Sequence, residues 1–363
     1  MQIVLAVLSS FVVTFIVLPI IIKVSRSIDL LDNPDKRKIH SISTPSLGGL
    51  AVFLGFCLSV MITVPLADLI AIKFFLFGII IMVILGIRDD VANMTAKHKL
   101  AIQIFSALMV VYFSDIRLEG FYGILGIYDM PLWFDIPFSV FVIVALTNSF
   151  NLIDGIDGLA GSVGILILGF LGWAFLAVGE LAYAVVCISL VGALFAFLFY
   201  NWFPSKVFMG DTGSLSMGFV ISSMTIHFIN LAEGGGFELP IDSSVGVGMS
   251  LLILPIYDTL RVFTIRFING KNPLDPDRNH LHHGLLKLGM NHAQATLTLL
   301  SFNAIILAIA LLLSVVLQNG ELILSITSII VLVTIVFEYK LSKLKYLKKT
   351  VSRDRNLYIS KSA

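Results

Sequence analysis

Residues Ala160–Tyr200 read AGSVGILILGFLGWAFLAVGELAYAVVCISLVGALFAFLFY, a stretch whose single charged side chain is Glu180. It holds two apolar runs, 160–178 and 182–200, parted only by Gly179, Glu180 and Leu181. Each approaches the ~20 residues that a helix needs to cross a ~30 Å hydrocarbon core. A helix that is apolar on every face belongs either in the core of a large protein or in a bilayer. Two in immediate succession, joined by a tight turn, point to the bilayer.

Comparable runs extend outward in both directions, at 2–22, 47–66, 74–88, 99–114, 136–151, 214–232, 246–266, 293–317 and 322–339, which makes eleven. The first is read as a span, since no basic segment precedes it and no small-residue cleavage site follows. Hydrophobic residues make up 58% of the 363-residue chain and charged residues 13%, about half the charged share of an ordinary soluble protein. That balance excludes both a soluble multidomain protein and a disordered chain. Cys57 and Cys187 lie inside apolar runs, so neither a disulfide framework nor a Cys-based metal site is available. The fold class expected is an all-α polytopic membrane protein with about eleven transmembrane helices. It is divided as a single integral-membrane domain, 1–339, and a basic tail, 340–363.

Charge assigns an orientation. With the amino terminus outside, the loops beginning at 23, 89, 152, 201 and 267 and the tail from Lys340 are cytoplasmic. These regions, with the adjoining helix ends, hold 22 of the 24 Lys and Arg; only Lys73 and Arg117 fall elsewhere. This is the signature of the positive-inside rule, and ten spans would scramble it. The expected location is a bacterial cytoplasmic (inner) membrane, crossed many times, with a cytoplasmic carboxyl terminus. The outer segment 115–135 reads as a small hairpin.

Carboxylates near a bilayer are expensive unless paired or metal-bound, so their placement is informative. They gather on the cytoplasmic edge: Asp89 and Asp90 after the third run, Asp154 and Asp157 after the fifth, Asp211 before the eighth, Asp258 within the ninth. Adjacent Asp89 and Asp90 repel when both are ionised, which calls for a lysine or a shared Mg²⁺. Lys97 and Lys99 follow within reach of a phosphate, and Asn93 ends the segment; a solvated turn with a helix-capping Asp is the other reading. In Asn148–Gly161, Asp154 and Asp157 share a face if the stretch is helical; an ordinary Asx-Gly turn would not require two Asn and two Asp. Asp211, ahead of Thr212 and Ser214, is either a helix N-cap or part of a phosphate or metal site at a helix start.

The segment Arg278-Asn279-His280-Leu281-His282-His283 places three His in four positions. It fits no closed zinc pattern and lacks Cys partners; phosphate contact by Arg278 and the histidines suits the neighbouring acids better. Lys38 and His40, in the basic stretch Asn33–His40, serve either as a topology signal or as an anion site. His227 reads as a packed histidine, and His98 and His292 carry no reading.

In order and membrane side, these motifs resemble the polyprenyl-phosphate N-acetylhexosamine-1-phosphate transferases, the WecA/MraY superfamily, over nearly the whole chain. The resemblance implies transfer of a sugar phosphate from a UDP-sugar to a lipid phosphate at a cytoplasmic Mg²⁺ site, with Mn²⁺ as a substitute. It ties Asp89 and Asp90 to the lipid phosphate and catalysis, with Asn93 as the last position of that motif. Asn151, Asp154 and Asp157 resemble the nucleotide-side segment, Asp211 the principal metal ligand, and His280, His282 and His283 the loop near the donor phosphates. The stretch around Lys38 and His40 is similar to the family's first cytoplasmic loop. The His-Leu-His-His loop and the Asn-Pro-x-x-Arg-x-x-His beginning look like the GlcNAc-1-phosphate branch. Where many members of that branch carry Arg after the His pair, this chain has Gly284.

The implied partners are UDP-N-acetylhexosamine, undecaprenyl phosphate and membrane lipid, with a homodimer left open and no nucleic acid. UDP-MurNAc-pentapeptide or a modified hexosamine is the alternative donor. An ion-coupled transporter also places acids among many helices, but usually at the midplane and with repeat symmetry; here the acids lie at one interface and no repeat is visible.

Overall fold

The computed structural model describes residues 1–32, 44–237, 241–270 and 280–361, with side chains as far as 344. Lys38, His40 and Arg278 fall outside the described residues. The chain is an all-α polytopic membrane protein, and every apolar run in the sequence lies on helix. In order the helices are α1 (Gln2–Ser27), α2 (Gly48–Thr63), α3 (Leu66–Ala71), α4 (Lys73–Val91), α5 (Ala96–Phe113), α6 (Leu132–Ile153), α7 (Leu159–Ala177), α8 (Leu181–Asn201), α9 (Gly210–Glu233), α10 (Ser244–Leu251), α11 (Ile253–Ile268), α12 (Leu281–Lys287), α13 (His292–Leu313) and α14 (Asn319–Lys361). Among the described residues, α1, α6, α7, α8, α9, α13 and the 319–344 part of α14 are long and apolar enough to cross a bilayer. The two helices of the opening stretch, α7 and α8, pack on each other.

α9 is the axis. Its apolar window is 83% buried, against 28% for α1 and 11% for α14, whose apolar surfaces face outward as lipid-exposed helices do. α2, α4, α6, α7 and α10 all pack around it. Small residues make this close approach feasible, as between membrane helices generally. At Gly86 of α4, a Cβ would stand 2.3 Å from Thr212 Cα on α9, so the two backbones touch there and no larger residue fits.

Two features depart from a simple series of spans. The run 246–266 is broken at Leu252 into α10 and α11. Pro255 has no N–H to donate to the Leu251 carbonyl. Asn303 of α13, fully buried, fills the gap: its Nδ2 donates to Leu251 O at 3.2 Å and its Oδ1 accepts from Leu254 N at 3.2 Å. The second departure is α14, which continues past Lys340 without interruption. The segment 115–135 is a small hairpin, with Met130 N donating to Glu119 O, Tyr122 N to Tyr128 O and a single bridge between Gly120 and Asp129.

Candidate active site

The amino end of α9 meets the carboxyl ends of α4 and α6 beneath a strap, residues 202–209, that connects α8 to α9. The strap is held by backbone pairing: Phe208 N donates to Pro45 O, Gly48 N to Phe208 O and Gly49 N to Met209 O. Between these elements lies a cavity of about 710 Å³, lined by Asp89, Asp90, Asn93, Lys99, Asn151, Asp154, Asp157 and Asp211 and, across from them in sequence, by His283 and His292. Acids separated by more than a hundred positions thus share one opening.

Each acid has a different local environment. Asp90 accepts from Asp211 N at 2.8 Å, Thr212 N at 3.0 Å and Thr212 Oγ1 at 2.6 Å. It therefore caps α9 from another helix, where unpaired amides and the helix dipole both favour a carboxylate. Asp211 does not cap its own helix; it lies in the first turn with its side chain free for other contacts. Lys99 Nζ donates to Asp211 Oδ2 at 2.8 Å and pairs with Asp89 as well, supplying the lysine that the paired acids call for. Asn151 Nδ2 reaches Asp211 Oδ1 at 3.1 Å and Ser214 Oγ at 2.7 Å. Asp89 also accepts from Met94 N at 2.7 Å, closing the turn after α4.

Asp154 and Asp157 share no helical face. Residues 154–158 form a turn between α6 and α7, yet the turn presents both acids to the cavity. Asp157 accepts from Ser205 Oγ at 2.9 Å and Ser205 N at 3.3 Å, and His292 Nδ1 stands 3.3 Å from its Oδ2. Burial pushes its carboxyl upward, but the His292 imidazole and the Ser205 donors outweigh this and hold it below the ordinary carboxylate value. Asp154 has no side-chain hydrogen bond among the described residues. Burial, then the charges of Asp211, Asp90 and Asp157, raise its carboxyl to about 7.

The histidine segment is built on Asp258 of α11. His280 Nδ1 lies 2.7 Å from Asp258 Oδ2, and Leu281 N donates to Asp258 Oδ1 at 2.7 Å. His282 is buried and stacks parallel to His280 at 5.6 Å between centroids. Burial and the charges of His283, His280 and His292 lower its pKa well below the ordinary value, so it is a neutral ring. Of the three, His283 alone lines the cavity. Lys97 is exposed on the first turn of α5, away from the cavity wall. Gly284 has a steric explanation: a Cβ there would stand 2.5 Å from Phe337 Cζ on α14, so a larger residue requires the Phe337 ring to move aside.

His292 is the titratable residue of the described cavity lining that the sequence does not announce. Its one local signal is the capping box of α13, Asn291 with Gln294, which places His292 at the start of a helix.

Mg²⁺ takes hard oxygen ligands and usually binds one or two carboxylates, completing its octahedron with waters and substrate phosphates. Among the described residues there is no preformed group of three or more acidic, His or Cys side chains of the kind that would cage an ion alone. Asp211 and Asp154, both at the cavity wall, match the sparser requirement. The donor chemistry fits.

The model of glycosyl transferase family 4 matches residues 72–229, the portion from α4 to α9 that carries every cavity carboxylate. A Bacillus subtilis (strain 168) protein named "probable undecaprenyl-phosphate N-acetylglucosaminyl 1-phosphate transferase" is 32% identical over 301 residues, 82% of this chain and 81% of its own. The undecaprenyl-phosphate alpha-N-acetylglucosaminyl 1-phosphate transferase of Escherichia coli (strain K12) is 30% identical over 316 residues, 85% and 81% of the two chains. The Yersinia pestis protein of that name is 29% identical over 295 residues, 80% and 77%. Likeness sustained over four-fifths of this chain and of the first two relatives places it: the chain belongs to glycosyl transferase family 4, among the polyprenyl-phosphate N-acetylhexosamine-1-phosphate transferases.

Proposed function

We propose that the protein transfers GlcNAc 1-phosphate from UDP-GlcNAc to undecaprenyl phosphate, releasing UMP, at the cytoplasmic face of a bacterial inner membrane. The observation that carries this reading is the single cavity in which Asp89, Asp90, Asp154, Asp157, Asp211 and Lys99 meet, in a chain 30–32% identical to proteins named for that reaction.

The nucleophile is a phosphate monoester oxygen, whose second pKa is ~6. It is largely ionised at neutral pH and needs little help from a base. What the reaction needs is positioning and neutralisation of charge on the transferred group. A Mg²⁺ held by Asp211, with Asp154 beside it, would supply part of that neutralisation when bound. Lys99 supplies a fixed positive charge at the same wall. Asp89, held by Lys99 and Met94 N, orients the lipid phosphate or takes its last proton. Asp90 acts through α9, fixing the turn that carries Asp211. His283 faces the donor phosphates; His280 and His282 support it. The lipid oxygen bonds to the β-phosphorus as the bond to UMP breaks. One phosphoanhydride replaces another, so the reaction should run backwards with UMP. The sugar C1–O bond is untouched, and the anomeric configuration should be retained.

The test is transfer of radiolabel from UDP-GlcNAc to a butanol-soluble lipid by the purified protein with undecaprenyl phosphate and Mg²⁺. EDTA, Asp211→Asn and UDP-MurNAc-pentapeptide serve as controls. Labelled lipid and released UMP, both lost in EDTA, are the expected result. Transfer from a different UDP-sugar alone would replace the donor, and inertness of folded protein towards every UDP-sugar would overturn the reading.

A further inference from the structure

Resting on that transferase reading, we infer that His292 is a substrate-binding residue, an imidazole backed by Asp157 whose far nitrogen, Nε2, donates to a phosphate oxygen of the anionic substrate in the cavity. Four observations lead there. His292 lines the cavity although α13 otherwise contributes nothing to the lining. Its Nδ1 is buried and turned to Asp157 Oδ2 at 3.3 Å, without well-aligned hydrogen-bond geometry and with no other partner among the described residues. The side chain nonetheless keeps 16% of its surface exposed, and of its two ring nitrogens only Nδ1 is both buried and without a hydrogen-bond partner. Finally, the ring is set from both sides: Phe203 of the strap packs on it at 5.3 Å between centroids, and the Asn291–Gln294 box fixes the backbone that carries it.

The charge balance of the cavity gives this arrangement a purpose. Among the described residues five carboxylates line it, and Lys99 is the one lysine or arginine. A substrate bearing phosphates meets strong repulsion unless further positive charge or donors are provided. The Asp157 carboxylate at Nδ1 and a phosphate oxygen at Nε2 are both acceptors, so a ring that bridges them donates from both nitrogens, and Asp157 fixes its orientation. Asp157 thus acts through His292, and is a positioning residue; its own oxygens are already engaged by Ser205 and His292. The phosphate contacted belongs either to the UDP-sugar or to the lipid, and the two sources are separable by experiment.

Asparagine and glutamine distinguish the two edges of the ring. An Asn amide nitrogen stands near the position of Nδ1 and would keep the link to Asp157 without reaching the cavity; a Gln amide nitrogen approximates Nε2 and would do the reverse. The full-length protein in nanodiscs, as wild type, His292→Asn, His292→Gln and His292→Ala, is assayed for KM towards UDP-GlcNAc with lipid saturating, and towards undecaprenyl phosphate with UDP-GlcNAc saturating. Thermal stabilisation by UMP is read in parallel without turnover. The expected result is a KM raised about tenfold or more for one substrate in Ala and Asn, with Gln recovering much of the loss, as removal of a charge-assisted hydrogen bond predicts. A rise confined to UDP-GlcNAc, with weaker stabilisation by UMP, assigns the contact to the donor; a rise confined to the lipid assigns it to the acceptor. Asn behaving as wild type while Gln fails like Ala would overturn the inference and leave His292 a tether for Asp157. Unchanged KM values in all three variants would overturn it as well. Wild-type protein that transfers from no UDP-sugar would instead remove the transferase reading beneath it.

Discussion

Asp90 and Asp89 are adjacent in sequence and read as equivalent members of one pair, yet they do different work. Asp90 spends both oxygens on Asp211 N and on the amide and hydroxyl of Thr212; Asp89 turns to Lys99 and Met94. Asp90→Ala leaves the first amides of α9 without an acceptor and should destabilise the protein by about 1–3 kcal/mol, with a lower Tm in detergent and loss of transfer. Asp90→Asn keeps one acceptor and should recover part of both. A Tm unchanged in Asp90→Ala, with activity lost, would mean that Asp90 contacts substrate directly. A second prediction concerns Asp154, whose carboxyl is raised to about 7 by burial and the neighbouring acids, against 3.8 when unperturbed. Between those values the folded state holds a proton that the unfolded state has lost, so stability falls as pH rises from about 4 to about 7 and is level above. Asp154→Asn escapes this cost. Its Tm advantage over wild type, measured without divalent cation, should be absent near pH 4 and grow to a plateau above pH 7. Binding of Mg²⁺ should displace the same proton, and apparent affinity should fall from pH 8 to pH 6. The types of these residues were legible from sequence because charge near a bilayer is costly. Their division of labour was not, since it depends on which helix end each carboxylate happens to face.

At the scale of elements, apolar length found every long helix, because a bilayer imposes that length irrespective of tertiary contacts. It did not find the break at Leu252. Pro255 sits inside an apolar run that reads as one span, and proline is tolerated in such helices only where neighbours satisfy the freed backbone groups. Asn303 does so from α13, nearly fifty positions away, a partnership with no local signature. Nor does periodicity mark the distinction between a surface glycine and one such as Gly86, where two backbones touch. Asn303→Leu removes both hydrogen bonds from a fully buried site and should destabilise the protein by about 2–4 kcal/mol, counting about 1–2 kcal/mol for each backbone group left unpaired. Asn303→Gln, with the same amide on a longer stem, should restore little, because the site closes around the shorter side chain. The check is the midpoint of thermal unfolding in nanodiscs for both variants. A midpoint for Asn303→Leu equal to that of wild type would mean that water, rather than Asn303, satisfies the broken turn.

The whole molecule has two distinct ends. At one, α4 and α6 finish, α9 begins, and the acid-lined cavity opens with Lys99 and the histidines. At the other, Asn230 near the end of α9 donates to Arg117 O and accepts from Tyr122, while Asn319 at the start of α14 donates to Tyr122 O. α14 therefore starts beside the 115–135 hairpin and reaches Gly284, in the neighbourhood of the cavity, at Phe337 and Leu341. The skew of Lys and Arg to one set of loops agrees with this polarity where the residues are described: Lys99 lines the cavity, and the loops from 23 and 267 border it at Leu31, Ser46 and His283. The proposed reaction requires that end in the cytoplasm, where a nucleotide sugar is available, with the hairpin outside, and the positive-inside rule favours that orientation. Single cysteines test the orientation in a Cys57→Ser, Cys187→Ser background. Leu125, at the tip of the hairpin, is 93% exposed. Ser342, among the last described side chains of α14, is exposed as well. Leu125→Cys should react with a membrane-impermeant maleimide in intact cells whose outer barrier has been opened. Ser342→Cys should react only once the inner membrane is permeabilised. The reverse pattern would put the cavity on the side that lacks nucleotide sugars and would defeat the proposed reaction on topological grounds alone. Labelling of both sites in intact cells would show an even number of crossings between them, which the charge distribution argues against.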